Sequence, residues 1–147
     1  MNIQLIEKPR DEKLVLALLE VWESSVRATH DFLKEGDVEY LRPFVKQGLR
    51  EVPLLFCAEE RGMPAGFLGM EAEGIEMLFV HADFRGQGIG SSLMREALSR
   101  DACRVDVNEQ NPQALGFYRR FGFEVIARDD LDSLGLPYPI LHCELKK

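Results

Sequence analysis

The alternation of apolar and polar residues changes period several times along the chain, and each change marks an element. Met1 to Ile6 alternates Ile3 and Leu5 against Asn2 and Gln4, the pattern of a short half-buried strand. Asp11 caps a helix whose apolar positions Leu14, Leu18, Val21, Trp22 and Val26 follow helical spacing. From Arg27 to Leu33 the spacing breaks, which predicts an irregular stretch ending at Gly36. A second helix is expected from Asp37 through Leu41, Phe44, Val45 and Leu49, interrupted or bent at Pro43. Pro53–Glu59 and Ala65–Glu71 read as strands, with Arg61-Gly62-Met63-Pro64 as the hairpin turn between them. The apolar run Ile75–Val80 predicts a buried strand, and Gly88–Ser99 a helix whose stripe is Ile89, Leu93, Met94, Ala97 and Leu98. A strand at Ala102–Val107, a helix at Pro112–Phe121 and a strand at Phe123–Arg128 follow. A loop through Leu134 to Pro139 leads to a last strand, Ile140–Leu145.

This order predicts an α/β fold, a mixed sheet of about seven strands with helices on both faces. The strands after Pro53 should pair as antiparallel hairpins. The strand–helix–strand from Ile75 to Val107 should be a parallel crossover. A V-shaped splay between the strands at 75–80 and 102–107 would open a cleft towards the glycine-rich segment that follows Val80. No repeat or linker interrupts the pattern, so residues 1–147 are expected to form one domain.

Composition narrows the classes of partner. The 147 residues carry 18 Lys and Arg against 25 Asp and Glu, a net charge of −7 with no basic stripe, so no nucleic-acid partner is expected. The same balance favours a cationic or amine partner. Cys57, Cys103 and Cys143 are odd in number and lack metal-ligand spacing. They read as reduced thiols with no metal site. Neither a leader-type apolar core nor a membrane-length apolar run is present, and a cytoplasmic protein, monomer or homodimer, is expected.

The chemistry is concentrated where the strand ending at Val80 runs into Arg85-Gly86-Gln87-Gly88-Ile89-Gly90-Ser91 and a helix start. Unpaired backbone N–H groups, the helix dipole and the missing side chains make an anion site there, with Arg85 as an added charge. An ATPase-type phosphate loop would need Lys-Ser/Thr after the last glycine, and Ser91-Ser92 stands there instead. A dinucleotide fingerprint accounts for Gly86, Gly88 and Asp106. It places Ser91 at the third glycine, however, and the motif falls mid-chain with only one βαβ unit. Arg85-Gly86-Gln87-Gly88-Ile89-Gly90 resembles the Arg/Gln-x-x-Gly-x-Gly/Ala signature of the GNAT superfamily of N-acetyltransferases. A second stretch, from Val107-Asn108-Glu109-Gln110-Asn111 through Ala114 and Phe117-Tyr118 to Gly122-Phe123, is similar to the superfamily's second cofactor motif. The order of elements is also that family's. Ala28-Thr29-His30-Asp31-Phe32-Leu33, Val107–Asn111, Leu134-Gly135 and Pro137-Tyr138-Pro139 resemble its YjaB-like branch of small bacterial acetyltransferases.

The resemblance implies acetyl-coenzyme A as cofactor. Its pyrophosphate would rest on Arg85, Gly86, Gln87, Gly88, Ile89, Gly90 and Ser91. The pantetheine arm would lie along the backbone of Leu78, Phe79 and Val80, with Asn111, Ala114, Phe117 and Tyr118 on the other side. It also implies that Tyr118 protonates the departing thiolate. A phenol near ~10 giving its proton to a thiol near ~8.5 is uphill by roughly 2 kcal/mol, so the transfer must be concerted, or the site must lower the tyrosine. Residue reading supports the second motif separately: Asn111-Pro112 is an N-cap with proline at N1, Gly122 is a helix stop, and Tyr118 shares a helix face with Asn111 and Ala114.

The acceptor would be a primary amine of a small molecule or peptide. At ~10.4 its deprotonation at pH 7 costs roughly 4.6 kcal/mol, so a base is required. Glu76, read as sharing a face with Leu78 and Val80, His30 and Glu109 are the candidates. His30, Phe32, Trp22 and Tyr138 are candidate substrate-pocket residues, although Trp22 also belongs to the helical apolar stripe. These residues describe an acetyltransferase working through a ternary complex. A catalytically silent acyl-coenzyme A sensor of the same fold is the alternative.

Overall fold

The computed structural model describes residues 1–29 and 33–146. In chain order the elements are β1 (Asn2–Leu5), α1 (Glu12–Thr29), α2 (Glu35–Glu51), β2 (Leu54–Glu60), β3 (Met63–Glu71) and β4 (Gly74–Val80). A 3-10 turn (Ala82–Phe84), α3 (Ile89–Ser99), β5 (Arg104–Asn108), α4 (Pro112–Arg120), β6 (Phe123–Asp129) and β7 (Ile140–Leu145) complete the chain. The seven strands form one sheet in the order β1-β2-β3-β4-β5-β7-β6. Every neighbouring pair is antiparallel except β4–β5, the predicted parallel crossover through α3.

Each face of the sheet carries its own core. On one face α3 and α4 bury Leu93, Met94, Ala97 and Tyr118 against Val105, Val107 and Phe123. On the other, α1 and α2 bury Leu18, Trp22, Val26 and Leu49 against Leu55 and Phe67. The predicted helices on both faces are therefore present.

Both helices of the second face are longer than their apolar spacing predicts. Helix α1 continues to Thr29, with Arg27 gripping the first-turn Glu35 of α2 through two hydrogen bonds at 2.7 and 2.8 Å. Arg42 of α2 reaches back to Glu20 and Glu23 of α1, so charge pairs carry the helix where apolar residues give no periodicity. Pro43 lies inside an unbroken α2. Both Pro43 and Glu39, whose carbonyl loses its partner there, are exposed, and water can take the place of the missing N–H. The β2–β3 turn is only Arg61-Gly62, with φ of 56° and 76°. Two left-handed residues in succession match the twist of a tight hairpin, and β3 therefore starts at Met63 rather than Ala65.

Strand β4 departs from regular alternation at one residue. Gly69 pairs with Met77 and Met70 with Ile75, so Glu76 is an extra residue with no partner on β3. The bulge reverses the parity of the strand. Ile75 packs on the α3/α4 face, yet Leu78 and Val80 also pack there, while Met77 and Phe79 turn to α1 and α2. Beyond the bulge β4 leaves β5: the parallel ladder holds only Gly74↔Arg104 and Ile75↔Val105. The V-shaped splay expected between these strands is thus two ladder pairs followed by separation.

Candidate functional site

The splay opens a cleft of about 720 Å³ lined by β4, β5, the glycine-rich segment, α4 and the last turns of α1. Its anion end is built by backbone. His81 closes β4 by donating its N–H to Ala65 O at 2.8 Å, and the Ala82 N–H reaches Ser24 Oγ at 3.1 Å, fixing the turn against α1. Gly86 and Gly88 then adopt φ of 76° and 82°, and a Cβ at either would meet no atom within 4 Å. The hollow is open, and its conformation is one that L side chains resist. The first helical bond of α3 runs from Ser92 N–H to Gly88 O at 3.0 Å, leaving the N–H groups of Ile89, Gly90 and Ser91 without intrahelical acceptors. Ile89, 1% exposed, pins this helix start into the core. Arg85 crosses to α4, donating to Gln113 Oε1 at 3.0 Å.

Helix α4 forms the opposite wall. Asn111 is its N-cap, accepting the Ala114 N–H at 3.2 Å, and Gly122 ends it with φ of 98°. Phe117 packs against Gly90, 3.6 Å from where a Cβ would stand, which sets the distance between the helix start and α4. Tyr118 lines the cleft with its ring edge-on to Phe117 and Phe123, at centroid distances of 5.2 and 5.9 Å. Among the described residues its hydroxyl has no hydrogen-bond partner. Burial, with Cys143 nearby, pushes its pKa above the ordinary tyrosine value. The shift runs opposite to the lowered tyrosine that would ease early donation, and so favours the concerted route for any proton this side chain gives.

On the far side of the splay Glu76 faces the cleft. It does not share a face with Leu78 and Val80, as strict alternation predicts, because the bulge turns it away from them. Its neighbours are Glu71, Arg104 and Asp106. Partial burial, then the charges of Glu71 and Asp106, raise its pKa, and Arg104 opposes them. Asp106 also lines the cleft, and its Oδ1 lies 2.7 Å from His142 Nδ1, whose Nε2 is 2.7 Å from Asp129 Oδ2. The two carboxylates raise the His142 pKa.

The remaining candidates separate clearly. Leu78, Phe79, Val80, Arg85, Gly86, Gly88, Ile89, Gly90, Ser91, Asn111, Ala114, Phe117 and Tyr118 all border the one cleft. Gln87 is exposed and lies off its lining. Trp22 is 3% exposed inside the α1/α2 core, held there by the stripe that makes the helix amphipathic, and does not line this cleft. Tyr138 is buried outside the cleft lining, its hydroxyl donating to the Asp37 carboxylate at the start of α2. Glu109 pairs with Arg128, which holds its pKa low, and does not line the cleft. His30 and Phe32 lie outside the described residues. Ser25, Thr29, Asp106 and Asn108 line the cleft without having been singled out as acceptor-side residues in the sequence.

The comparisons with known proteins bear on this arrangement. A family model described as an acetyltransferase (GNAT) domain matches residues 52–125. The chain belongs to the GNAT acetyltransferase family. The peptidyl-lysine N-acetyltransferase YjaB of Salmonella typhimurium is 40% identical over 143 residues, covering 97% of this chain and 96% of that protein. Its namesake from Escherichia coli is 42% identical over 126 residues, 85% and 86% of the two chains. The solution structure of apo-form YjaB from Escherichia coli superposes with a TM-score of 0.85 at 38% identity, covering 98% and 97%. This GNAT chain is thus an N-acetyltransferase that uses acetyl-coenzyme A, and the silent-sensor alternative falls away. The residues present suit that cofactor: the hollow above Gly86 and Gly88 and the unpaired N–H groups of α3 fit a pyrophosphate, and the parted β4 edge offers backbone to an amide-bearing arm.

Proposed function

We infer that residues 1–147 act as one acetyltransferase domain that acetylates the side-chain amine of lysine in a peptide or protein, by direct transfer in a ternary complex. The observation that carries this reading is the charge at the acceptor side of the splay. Glu76 and Asp106 line it, with Glu71 beside them and Asp129 behind His142. Arg104 and His142, the latter shared by Asp106 and Asp129, are the opposing charges. Carboxylates therefore outnumber cations there, and a lysine ammonium is the group such a surface attracts. The relatives named peptidyl-lysine N-acetyltransferase, matched over nearly the whole chain, support the same acceptor.

Acetyl-coenzyme A, when bound, supplies an acyl group activated by a thiol leaving group. The chain supplies position and protons. The N–H groups of Ile89, Gly90 and Ser91 hold the pyrophosphate, with Arg85 as the accompanying charge. The N–H groups of β4 beyond the bulge, freed by its departure from β5, orient the arm and polarise the acyl oxygen. Glu76 takes the proton from the ammonium nitrogen. Its raised pKa narrows the gap to the amine in the transfer itself, while the roughly 4.6 kcal/mol that a neutral lysine amine costs at pH 7 is set by the amine. Tyr118 gives its hydroxyl proton to the leaving sulfur as the carbon–sulfur bond breaks. Burial keeps that proton in place until then.

The test is a comparison of kcat/KM for a blocked peptide with one internal lysine against free lysine and a polyamine. The account expects the peptide to exceed both by at least about tenfold. A polyamine or free amino acid that matches the peptide would contradict it.

A further inference from the structure

Three hydroxyls lie in the second half of α1, and two of them have structural work. Ser24 Oγ accepts the Ala82 N–H at 3.1 Å, and Thr29 Oγ1 donates to the carbonyl of Ser25 at 2.8 Å. Ser25 is the third. It is 8% exposed, the one polar residue among those α1 buries, and it lines the cleft. Among the described residues its hydroxyl has no hydrogen-bond partner. No buried side-chain oxygen among the described residues lacks a partner, so this hydroxyl is open to the cleft rather than sealed in the core, and alanine would serve the packing and the helix at least as well. It is oriented into the cleft from the α1 face of the sheet, the face to which the bulge also turns Glu76, away from Leu78 and Val80.

We propose that the Ser25 hydroxyl positions the acceptor nitrogen, accepting one of its N–H groups while Glu76 removes the transferred proton. The inference rests on the lysine-acceptor reading above. A serine oxygen is too weak a base to take the proton itself, so its contribution is directional. The proton taken by Glu76 leaves the lone pair along the N–H bond that broke. Rotation about the Cε–Nζ bond turns it into the cleft between β4 and α4, and an N–H accepted by Ser25 holds that rotamer. Ser25 is thereby a positioning residue, and its effect falls on acceptor recognition rather than on the hold of coenzyme A.

The test is Ser25→Ala, with Ser25→Thr as a second variant that restores a hydroxyl. The measurements are steady-state kinetics on the blocked lysine peptide, titration of that peptide into the enzyme–coenzyme A complex, and thermal melting. The expected result for Ser25→Ala is a KM and a peptide dissociation constant each about tenfold higher, an unchanged coenzyme A affinity, and a melting temperature equal to or above wild type. Ser25→Thr should recover part of the peptide affinity. A wild type that acetylates the peptide while Ser25→Ala binds and uses it equally well overturns the role of Ser25 alone. Loss of coenzyme A affinity in Ser25→Ala also overturns it, by assigning the hydroxyl to the donor. A wild type that neither binds nor acetylates the peptide overturns the lysine reading and this inference with it.

Discussion

Tyr118→Phe removes a single oxygen and isolates the proton delivered to the leaving sulfur. The ring sits between Phe117 and Phe123, and the hydroxyl has no partner among the described residues, so the variant should keep its packing and lose less than about 1 kcal/mol of stability. The kinetic cost is set by chemistry. A free thiol titrates near ~8.5 and an ordinary phenol near ~10, so handing the proton to a thiolate that has already departed is uphill by about 2 kcal/mol. Burial of Tyr118 makes it steeper still. The proton must move as the carbon–sulfur bond breaks, and a general acid of that kind contributes about 10²-fold or more. Without it the thiolate must depart as an anion, a barrier that the pH of the solution does not change. Coenzyme A release, followed with a thiol reagent from about pH 6.5 to 9.5, should therefore show a deficit of about 10²-fold that holds across the range, because the raised Tyr118 pKa keeps the wild-type hydroxyl protonated throughout. Coenzyme A affinity should be unchanged. Equal activity of the variant, or a deficit that closes within this pH range, would remove Tyr118 as the acid.

Two further perturbations bear on the rest of the site. Gly88→Val forces a β-branched residue to φ of 82°, a conformation costing an L residue about 1–2 kcal/mol, and fills the hollow. Calorimetric titration should show coenzyme A affinity reduced by more than about tenfold, and unchanged affinity would mean the loop does not hold the pyrophosphate. Glu76→Gln should lower kcat by about 10²-fold and abolish the acidic limb of the wild-type pH profile, a limb lying above the ordinary glutamate value near ~4.3. Because folding raises the Glu76 pKa, the native state resists its ionised form, a penalty absent below the unfolded pKa and complete above the folded one. Melting temperatures should accordingly show Glu76→Gln gaining stability at pH 7 and no gain near pH 3, and an acidic limb surviving in the variant would identify a different base.

The α/β order, the parallel crossover and the glycine cradle were legible in the sequence because each is local: a period, a turn residue, a helix start. Asn111 and Pro112 announced their helix for the same reason. The acceptor side was not legible, because it depends on register. One unpaired residue in β4 reverses the parity of the strand, and alternation read through Ile75–Val80 puts Glu76 on the wrong face. Trp22 was offered to a pocket although its stripe already placed it in the core. The reach of α1 to Thr29 follows from Arg27 gripping Glu35 eight residues on, a contact that hydrophobic spacing does not record. Ser25 did leave a trace, as a polar residue one helical turn beyond Val21 and Trp22 on a face that is otherwise apolar. That exception to the stripe was the available pointer to the acceptor side.

The central claim is that donor and acceptor meet where β4 leaves β5, between Tyr118 and Glu76. A structure of the protein with a bisubstrate conjugate, coenzyme A joined to the side-chain nitrogen of a lysine peptide, tests it most directly. The account predicts the pyrophosphate on Gly86 to Ser91, the sulfur within hydrogen-bond reach of the Tyr118 hydroxyl, and the lysine nitrogen between Ser25 and Glu76. A conjugate whose sulfur lies away from Tyr118, or whose peptide arm leaves by a route that avoids Ser25 and Glu76, would contradict it.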